Sequence, residues 1–237
     1  MIRVLVWNEF IHEKEQENVK KIYPNGIHNA IKDFLECDDI SVKTATLDDE
    51  HCGITDEILA ETDVLLWWGH MAHHKVPDDV AISVQQAVLK GMGFIALHSG
   101  HHSKPFKRLM GTTCNLSWRE DGDFERVWVL DHAHPITKDL GRYIEIEHEE
   151  MYGEPFGIPE PDKLLMIGWY EGGEVFRSGC VYHRGNGKIF YFQPGHESYP
   201  TYYNKDVQKV IKNAVRWAAP SYRVDDLPCP MVTKIGK

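Results

Sequence analysis

The sequence predicts an α/β fold built on a doubly wound, mostly parallel sheet with helices on both faces. Strands and amphipathic helices alternate through the first half of the chain, and this order produces parallel strands joined by right-handed crossovers. Polar residues directly follow several of these strands. The second half contains short strands separated by glycine turns, which predict extra antiparallel strands in the same domain.

In the first half, we expect strands over 2–7, 40–46, 63–68 and 93–97, and helices over 24–36, 55–61, 77–90 and 105–110. The apolar run at 63–68 is continuous, which is typical of a strand buried on both faces. Thr55 is a start signal for the second helix. Pro77 and Gly91 bracket the third helix in the positions that these residues favour.

In the second half, we expect strands over 124–130, 143–148, 163–170, 175–183 and 188–193, and a final amphipathic helix over 203–218. Gly172-Gly173 and Gly185-Asn186-Gly187 predict hairpin turns. The segment 220–237 contains three prolines and no periodicity. We therefore expect one domain over 1–219 and an extended tail over 220–237, packed on the surface or on a partner subunit of a homo-oligomer.

Composition narrows the class of protein. The 237 residues carry a formal net charge of −10, which argues against binding to a nucleic-acid backbone because such binding needs clustered Lys and Arg. The first residues lack the layout of a signal peptide, and no apolar run reaches the length of a membrane span. We therefore expect a cytoplasmic protein with no membrane partner. The five cysteines are scattered and predict reduced thiols rather than disulfides.

The segment 91–102 contains the most informative motif. A short apolar strand ends at His98, and the small residues Ser99 and Gly100 follow. In α/β enzymes such a turn holds one reactive side chain at the carboxyl edge of the sheet. The usual occupant is a Ser or Cys nucleophile, whereas a histidine is a base and a metal ligand. Ser99 lies one position away from the apex, which disfavours a serine hydrolase.

Several of the fourteen histidines lie near predicted strand ends, where ligands bind in parallel sheets. We predict that His70, His98, His196 and Glu150 converge. Three imidazoles and a carboxylate suit zinc or another divalent metal ion, which would polarise a carbonyl and lower the pKa of bound water. Without a metal ion, the same residues would serve as general acid and base or bind a polyol.

The candidate roles are as follows. His98, His196 and Glu150 are the predicted catalytic residues, and His70, His98 and His196 are the predicted metal ligands. The residues predicted to bind substrate are Asn8, Glu9, Trp68, His70, His101, Tyr152 and Glu197. The acidic run at 147–150 is also typical of a solvated surface, and that alternative stays open at this stage.

Five segments together resemble the ThuA family, the trehalose-utilisation proteins. The resemblance covers nearly the whole chain and rests on Ile95-Ala-Leu-His98-Ser, Asp131-His-Ala-His134-Pro-Ile, Glu149-Glu150-Met-Tyr152, Gly185-Asn-Gly-Lys-Ile-Phe-Tyr191 followed by Gly195-His196, and Asn213-Ala-Val-Arg-Trp217-Ala. It implies a flavodoxin-like fold similar to that of class I glutamine amidotransferases. In those enzymes a Cys occupies the elbow and a late His-Pro-Glu supplies the base. Here His98 takes the Cys position and His196-Glu197 lacks the intervening Pro, so Cys-dependent amidotransferase chemistry is not expected.

The resemblance also implies a small-molecule sugar ligand. We expect a role in the catabolism of trehalose or a keto derivative, by hydrolysis or isomerisation. The alternative is a non-catalytic sugar-binding or regulatory protein on an amidotransferase-like scaffold that has lost its Cys nucleophile. Several aromatic residues lie near predicted strand ends or loops, a placement compatible with stacking on a sugar: Trp67, Trp68, Trp118, Tyr152 and Trp169. For Trp67 we expect a core position instead.

Overall fold

Nine strands form one mixed sheet in the computed structural model, which describes residues 1–236. The strands are β1 (Ile2–Asn8), β2 (Ile40–Thr46), β3 (Val64–Trp68), β4 (Gly93–Leu97), β5 (Ser117–Val129), β6 (Tyr143–Gly153), β7 (Lys163–Tyr170), β8 (Val175–Arg184) and β9 (Gly187–Phe192). Their order across the sheet is β2-β1-β3-β4-β9-β8-β7-β5-β6.

The prediction of an α/β fold is confirmed, but the sheet is mixed rather than mostly parallel. The pairings among β2, β1, β3, β4 and β9 are parallel. The pairings from β9 through β8, β7 and β5 to β6 are antiparallel. The expectation failed for the sheet as a whole because three hairpins and the pairing of β5 with β7 give four antiparallel pairings, as many as the parallel ones.

Seven α-helices accompany the sheet in the described residues. They are α1 (His12–Glu15), α2 (Glu17–Ile22), α3 (Ile27–Leu35), α4 (Asp56–Glu61), α5 (Asp78–Leu89), α6 (Lys104–Met110) and α7 (Lys205–Ala218). None of the helices described in residues 1–236 is long and apolar enough to cross a membrane.

The helices cover both faces of the sheet. Alternate residues of each strand point to opposite faces, so Val4 and Val6 pack with α3 and α7 in one core. Leu5 and Trp7 pack with α4, α5 and α6 in the other. This burial on two sides explains the continuous apolar runs of β3 and β4, whose residues are all buried.

Several elements differ from the sequence predictions. The helix predicted over 24–36 begins only at Ile27, because Gly26 has a φ of 85°. Two short helices, α1 and α2, occupy the preceding segment, for which no helix was predicted. The strand predicted over 143–148 continues to Gly153 and carries part of the acidic run into the interior. The last helix begins at Lys205, because the Asn204 side chain caps its first turn by accepting the backbone N–H groups of Asp206 and Val207.

Residues 219–236 contain no helix or strand. Their first part is nevertheless attached to the domain. The Arg223 guanidinium donates to the carbonyls of Leu59 (3.0 Å) and Thr62 (2.7 Å), and the Val224 amide donates to the Lys90 carbonyl at 3.0 Å. The five cysteines are all unpaired by disulfides.

Candidate metal centre and active site

The candidate site lies at the edge of the sheet where the carboxyl ends of β1, β3, β4 and β9 meet, since these strands run parallel. Four successive antiparallel pairings separate β9 from β6. Because each pairing reverses the direction, β6 ends at the same edge as β9. The sheet topology therefore brings Glu149 and Glu150 of β6 towards the histidines that follow β3, β4 and β9.

His98 stands directly after β4 with a φ of 49°. This left-handed conformation costs a non-glycine residue about 1–3 kcal/mol and is concentrated at functional sites. The His98 Nδ1 atom lies 2.9 Å from the Gln193 carbonyl oxygen, so Nδ1 carries a proton and donates. The Nε2 lone pair then faces the Glu150 Oε2 atom at 2.9 Å. Two electron-rich atoms this close require a cation between them, either a proton or a metal ion.

His70 repeats this arrangement after β3. Its Nδ1 atom lies 3.2 Å from Glu197 Oε1, and its Nε2 atom lies 3.9 Å from Glu150 Oε2. The same Glu197 oxygen lies 3.4 Å from His12 Nε2. Burial lowers the pKa of His70, but Glu197, Glu150 and Glu9 outweigh it and the net pKa is raised. A carboxylate that fixes the outer ring nitrogen is the usual support of a metal-binding histidine.

His196 has the opposite tautomer. Its Nδ1 atom accepts the backbone N–H of Ser198 at 3.1 Å, so in the neutral ring the proton sits on Nε2. That Nε2 lies 3.9 Å from Glu150 Oε2, 3.6 Å from Glu197 Oε2 and 3.8 Å from Glu120 Oε1. Burial lowers the pKa of His196 to about 4. At neutral pH the ring is an uncharged donor aimed into the cluster.

Glu150 is the common neighbour of the three histidines. Its Oε2 atom is buried and accepts no hydrogen bond in residues 1–236, and such a group is costly unless a cation compensates it. Burial raises the pKa of Glu150, but His98, His196 and His70 outweigh it and the net pKa is lowered. One donor atom from each of the four residues lies within 4.8 Å of the others.

The donor set fits a divalent transition-metal ion. Glu150 offers a carboxylate oxygen, and His70 and His98 offer Nε2 lone pairs whose opposite nitrogens are tied to acceptors. Two imidazoles and one carboxylate with an open position are a common catalytic arrangement for zinc and for non-haem iron. His12, His70 and Glu197 form a second group of adjacent donor atoms that shares His70.

Two buried carboxylates hold the loops that carry these residues. Glu149 accepts the backbone N–H groups of Gly195 and His196, each at 2.9 Å, and the Thr201 hydroxyl at 2.8 Å. Glu9 accepts the backbone N–H groups of His70, Met71 and Ala72 at 2.9–3.1 Å. The alternative of a solvated acidic run therefore holds for Glu147 and His148, which are exposed, but not for Glu149 and Glu150.

A cavity of about 480 Å³ opens above the cluster. It is lined by His70, His73, Ser99, His101, His102, Asn115, Leu116, Trp118, Glu120, Glu150 and Tyr152. Tyr152 stacks on His98 with ring centroids 4.9 Å apart, and its hydroxyl lies 2.8 Å from Ser99 Oγ. His101 is fixed by a 2.7 Å contact between its Nδ1 and the Cys114 carbonyl oxygen, and burial lowers its pKa well below the ordinary value.

The structure thus brings together His70, His98, His196 and Glu150 and places Glu197 beside them. His101 and Tyr152 line the cavity. Three of the residues predicted to bind substrate are instead occupied inside the protein. Asn8 contacts Glu13 and His28 through its Nδ2 atom, at 2.7 and 2.9 Å, Glu9 holds the 70–72 backbone, and Trp68 donates from Nε1 to the Gly195 carbonyl at 3.0 Å.

Sequence reasoning missed His12, Glu120, His73 and His102 as parts of this site. His12 follows β1 by only four residues, so its position near a strand end was a usable signal. Glu120 gave none, because it lies at the beginning of a strand that was predicted to start at 124. His73 and His102 belong to histidine clusters visible in the sequence, but no pattern indicated that their rings share a cavity wall.

Comparison with known proteins gives one family. The ThuA family model, described as trehalose utilisation, matches residues 3–218. A ThuA-like protein from Bacteroides uniformis superposes with a TM-score of 0.64 at 16% identity, over 92% of this chain and 91% of that one. One from Parabacteroides merdae gives 0.64 at 14% identity, over 96% and 93%.

A protein from Salmonella typhimurium described as cytoplasmic gives a TM-score of 0.62 at 11% identity, over 92% of this chain and all of that one. At such identities the likeness concerns the fold alone. A search of curated proteins returned no match.

Proposed function

Because the chain belongs to the ThuA family of trehalose utilisation, we propose that it is an enzyme of disaccharide catabolism whose active site is the His70, His98, Glu150 and His196 cluster. Its substrate is trehalose or a keto derivative, and its reaction is hydrolysis or isomerisation. The single observation that carries the proposal is the 2.9 Å approach of two acceptor atoms, His98 Nε2 and Glu150 Oε2, in a buried site.

We propose that His70, His98 and Glu150 bind a divalent metal ion such as zinc. Such an ion supplies Lewis-acid polarisation of a carbonyl or hydroxyl oxygen. His196, the fourth member, acts as an acid–base group rather than as a ligand, because its Nδ1 is already used by the Ser198 amide. Its Nε2–H faces the same space and donates to the substrate oxygen that gains negative charge.

Tyr152 and Glu197 support these roles. The Tyr152 ring covers one face of the His98 imidazole and keeps water away from it. Glu197 holds the Nδ1 proton of His70 and thereby keeps the Nε2 lone pair directed at Glu150. The site works only when both histidines retain these tautomers.

The test is zinc content and sugar turnover of the wild type and of His98→Asn. Asn tolerates a positive φ, so this variant keeps the backbone while it removes the imidazole. We expect one equivalent of metal and turnover of trehalose or its keto form in the wild type, and at least about a 100-fold loss of metal affinity in the variant. His132→Ala, at an exposed histidine, is the control. Full activity and metal content in His98→Asn would refute the assignment.

A non-catalytic sugar-binding role is the second candidate, favoured by the histidine that stands where an amidotransferase would carry its Cys nucleophile. Calorimetry with trehalose and its keto forms distinguishes the two. Saturable binding without turnover, under zinc, manganese or iron(II), would support the binding protein and contradict the enzyme.

Two finer expectations also stay proposals. We propose a flavodoxin-like core formed by the five parallel strands, supported by their order β2-β1-β3-β4-β9, which matches the flavodoxin-like arrangement. We also propose a cytoplasmic location, supported by the description of the Salmonella neighbour.

A further inference from the structure

The cavity continues past the histidine cluster to a wall that the proposed metal centre does not use. Asn115, Leu116, Trp118 and Glu120 contribute to this wall, and the last two lie at the beginning of β5. Since β5 runs antiparallel to β6, it begins at the same sheet edge where β6 ends. The topology therefore places the start of β5 over the site.

Trp118 is the large aromatic side chain of this wall, and 64% of it is exposed. It pairs directly with Tyr152 in the antiparallel register, so the two side chains share a face of the sheet. Tyr152 in turn stacks on His98. An open indole face thus lies beside the reactive end of the cavity. Such a face attracts the C–H groups on the flat side of a sugar ring, because the ring face is negative and the C–H edge positive.

Glu120 follows Trp118 by two residues, which puts both on one face of an extended chain. Its Oε1 atom lies 3.8 Å from His196 Nε2, and its side chain is half-exposed. A carboxylate accepts hydrogen bonds at two oxygens and donates none, so it suits a pair of neighbouring sugar hydroxyls. The register of β5 is irregular between Arg119 and Asp123, and bulges of this kind often re-aim side chains next to active sites.

The negative charge of the cavity lining favours uncharged sugars over phosphorylated ones. Of the described residues that line the cavity, two are carboxylates, Glu120 and Glu150, and none is Lys or Arg. Arg119 is turned towards Asp121, Asp123 and Glu174 at 2.5–2.7 Å. Lys107 is near enough to His102 to lower its pKa, after burial, but it does not line the cavity. A phosphate group beside Glu120 would meet a like charge, and no Lys or Arg of the cavity lining would offset it.

We propose that Trp118 and Glu120 form a subsite for an uncharged, unphosphorylated sugar ring, which stacks on the indole and donates two hydroxyls to the carboxylate. This inference rests on the proposed function of the neighbouring cluster and adds two sugar-binding residues and a preference for uncharged over phosphorylated sugar. It makes trehalose or its keto form a ligand and excludes the 6-phosphate as one of comparable affinity.

The test is calorimetric titration of the zinc-loaded full chain with trehalose, with its keto form and with trehalose 6-phosphate. We expect the wild type to bind an uncharged sugar at least about tenfold more tightly than the phosphate. We expect Trp118→Ala to weaken uncharged-sugar binding about tenfold, the scale of one aromatic stacking contact, and Trp118→Phe to retain most of it. Glu120→Gln should weaken the binding of the uncharged sugar and reduce the difference in affinity between the uncharged sugar and trehalose 6-phosphate.

Tyr222→Ala and Glu147→Gln are the controls, because both side chains are exposed and neither lines the cavity. Unchanged sugar affinity in both Trp118→Ala and Glu120→Gln, or equal affinity of the wild type for the phosphate, overturns the subsite while leaving the metal centre standing. Loss of metal from His98→Asn is a separate readout for that centre. A wild type that binds no sugar overturns both proposals.

Discussion

At the residue scale, the tautomers of three histidines decide what the cluster can do. Each imidazole has one nitrogen fixed by the protein, by Gln193 for His98, by Glu197 for His70 and by Ser198 for His196. In the first two the fixed nitrogen donates, which leaves a lone pair for a metal ion. In the third it accepts, which leaves a proton to give. In the site that we propose, the hydrogen bond at the outer ring nitrogen, rather than the residue type, therefore separates the two metal ligands from the acid–base group.

Glu197→Gln should weaken metal binding while the fold persists. The Glu197 Oε1 atom faces both His70 Nδ1 and His12 Nε2, and an amide in its place lacks the charge that holds the His70 proton. We expect a loss of about 10–100-fold in zinc affinity, measured by competition with a chelator. Glu147→Gln is the control, and an unchanged zinc affinity would contradict the supporting role of Glu197.

Glu125 should make stability depend on pH. Its side chain is fully buried near Tyr170, Ser178 and Glu149, and burial, with Glu149, raises its pKa well above the ordinary value. The folded state therefore holds a proton that the unfolded state releases. The resulting stability is complete below the ordinary carboxyl pKa and falls as pH rises through the raised value, by at most about 1.4 kcal/mol per pH unit.

Glu125→Gln removes this titration. We expect the variant to gain stability relative to the wild type as the pH rises from 4 towards 7, measured by urea unfolding across that range. Glu147→Gln should leave the profile unchanged. If the free energies of unfolding of Glu125→Gln and the wild type differed by the same amount at every pH, the prediction would be wrong, because Glu125 would then not change its protonation on folding.

At the scale of elements, the loop after β3 depends on a single carboxylate. Glu9 accepts three consecutive backbone N–H groups, those of His70, Met71 and Ala72. Glu9→Gln replaces one acceptor oxygen with a donor that faces these amides. We expect a loss of about 1–3 kcal/mol in the free energy of unfolding, the cost of an unsatisfied buried amide, measured by urea denaturation. Equal stability of the variant and the wild type would mean that water accepts the hydrogen bonds of these backbone N–H groups, which would contradict the role of Glu9.

Sequence patterns predicted the convergence of the histidines better than the pairing of the strands. His70, His98 and His196 follow buried strands, and parallel strands end at one edge, so their convergence needed only local patterns. The position of Glu150 depends on the direction of β6, which is set by four antiparallel pairings in series. One of them, between β5 and β7, joins strands that are not consecutive in the chain, and no local pattern marks it. Trp118 and Glu120 stand in an irregular stretch of β5, where neither alternation nor turn residues mark a strand. No local pattern in the sequence predicts that β9 lies at the middle of the sheet.

At the scale of the whole molecule, the C-terminal segment should divide at about residue 226. Arg223 and Val224 donate to carbonyls of the main domain, whereas the residues after 226 are exposed. A chain ending at residue 226 should unfold at the same urea concentration as the full chain. A chain ending at residue 221 should lose about 1–3 kcal/mol, because it strips donors from these carbonyls. Equal stability of both truncated chains would contradict this division.

The place of β9 governs when the site can exist. β9 is the last strand in the chain, yet it sits at the middle of the sheet between β4 and β8, and the turn after it carries His196 and Glu197. During synthesis the ribosome releases the first four strands long before this strand. Until β9 emerges, β4 is an edge strand, and no strand pairs the parallel part of the sheet with the antiparallel part. Closing the sheet and completing the cluster are therefore one event, and the finished chain, rather than the nascent one, is the form that can bind the metal ion we propose.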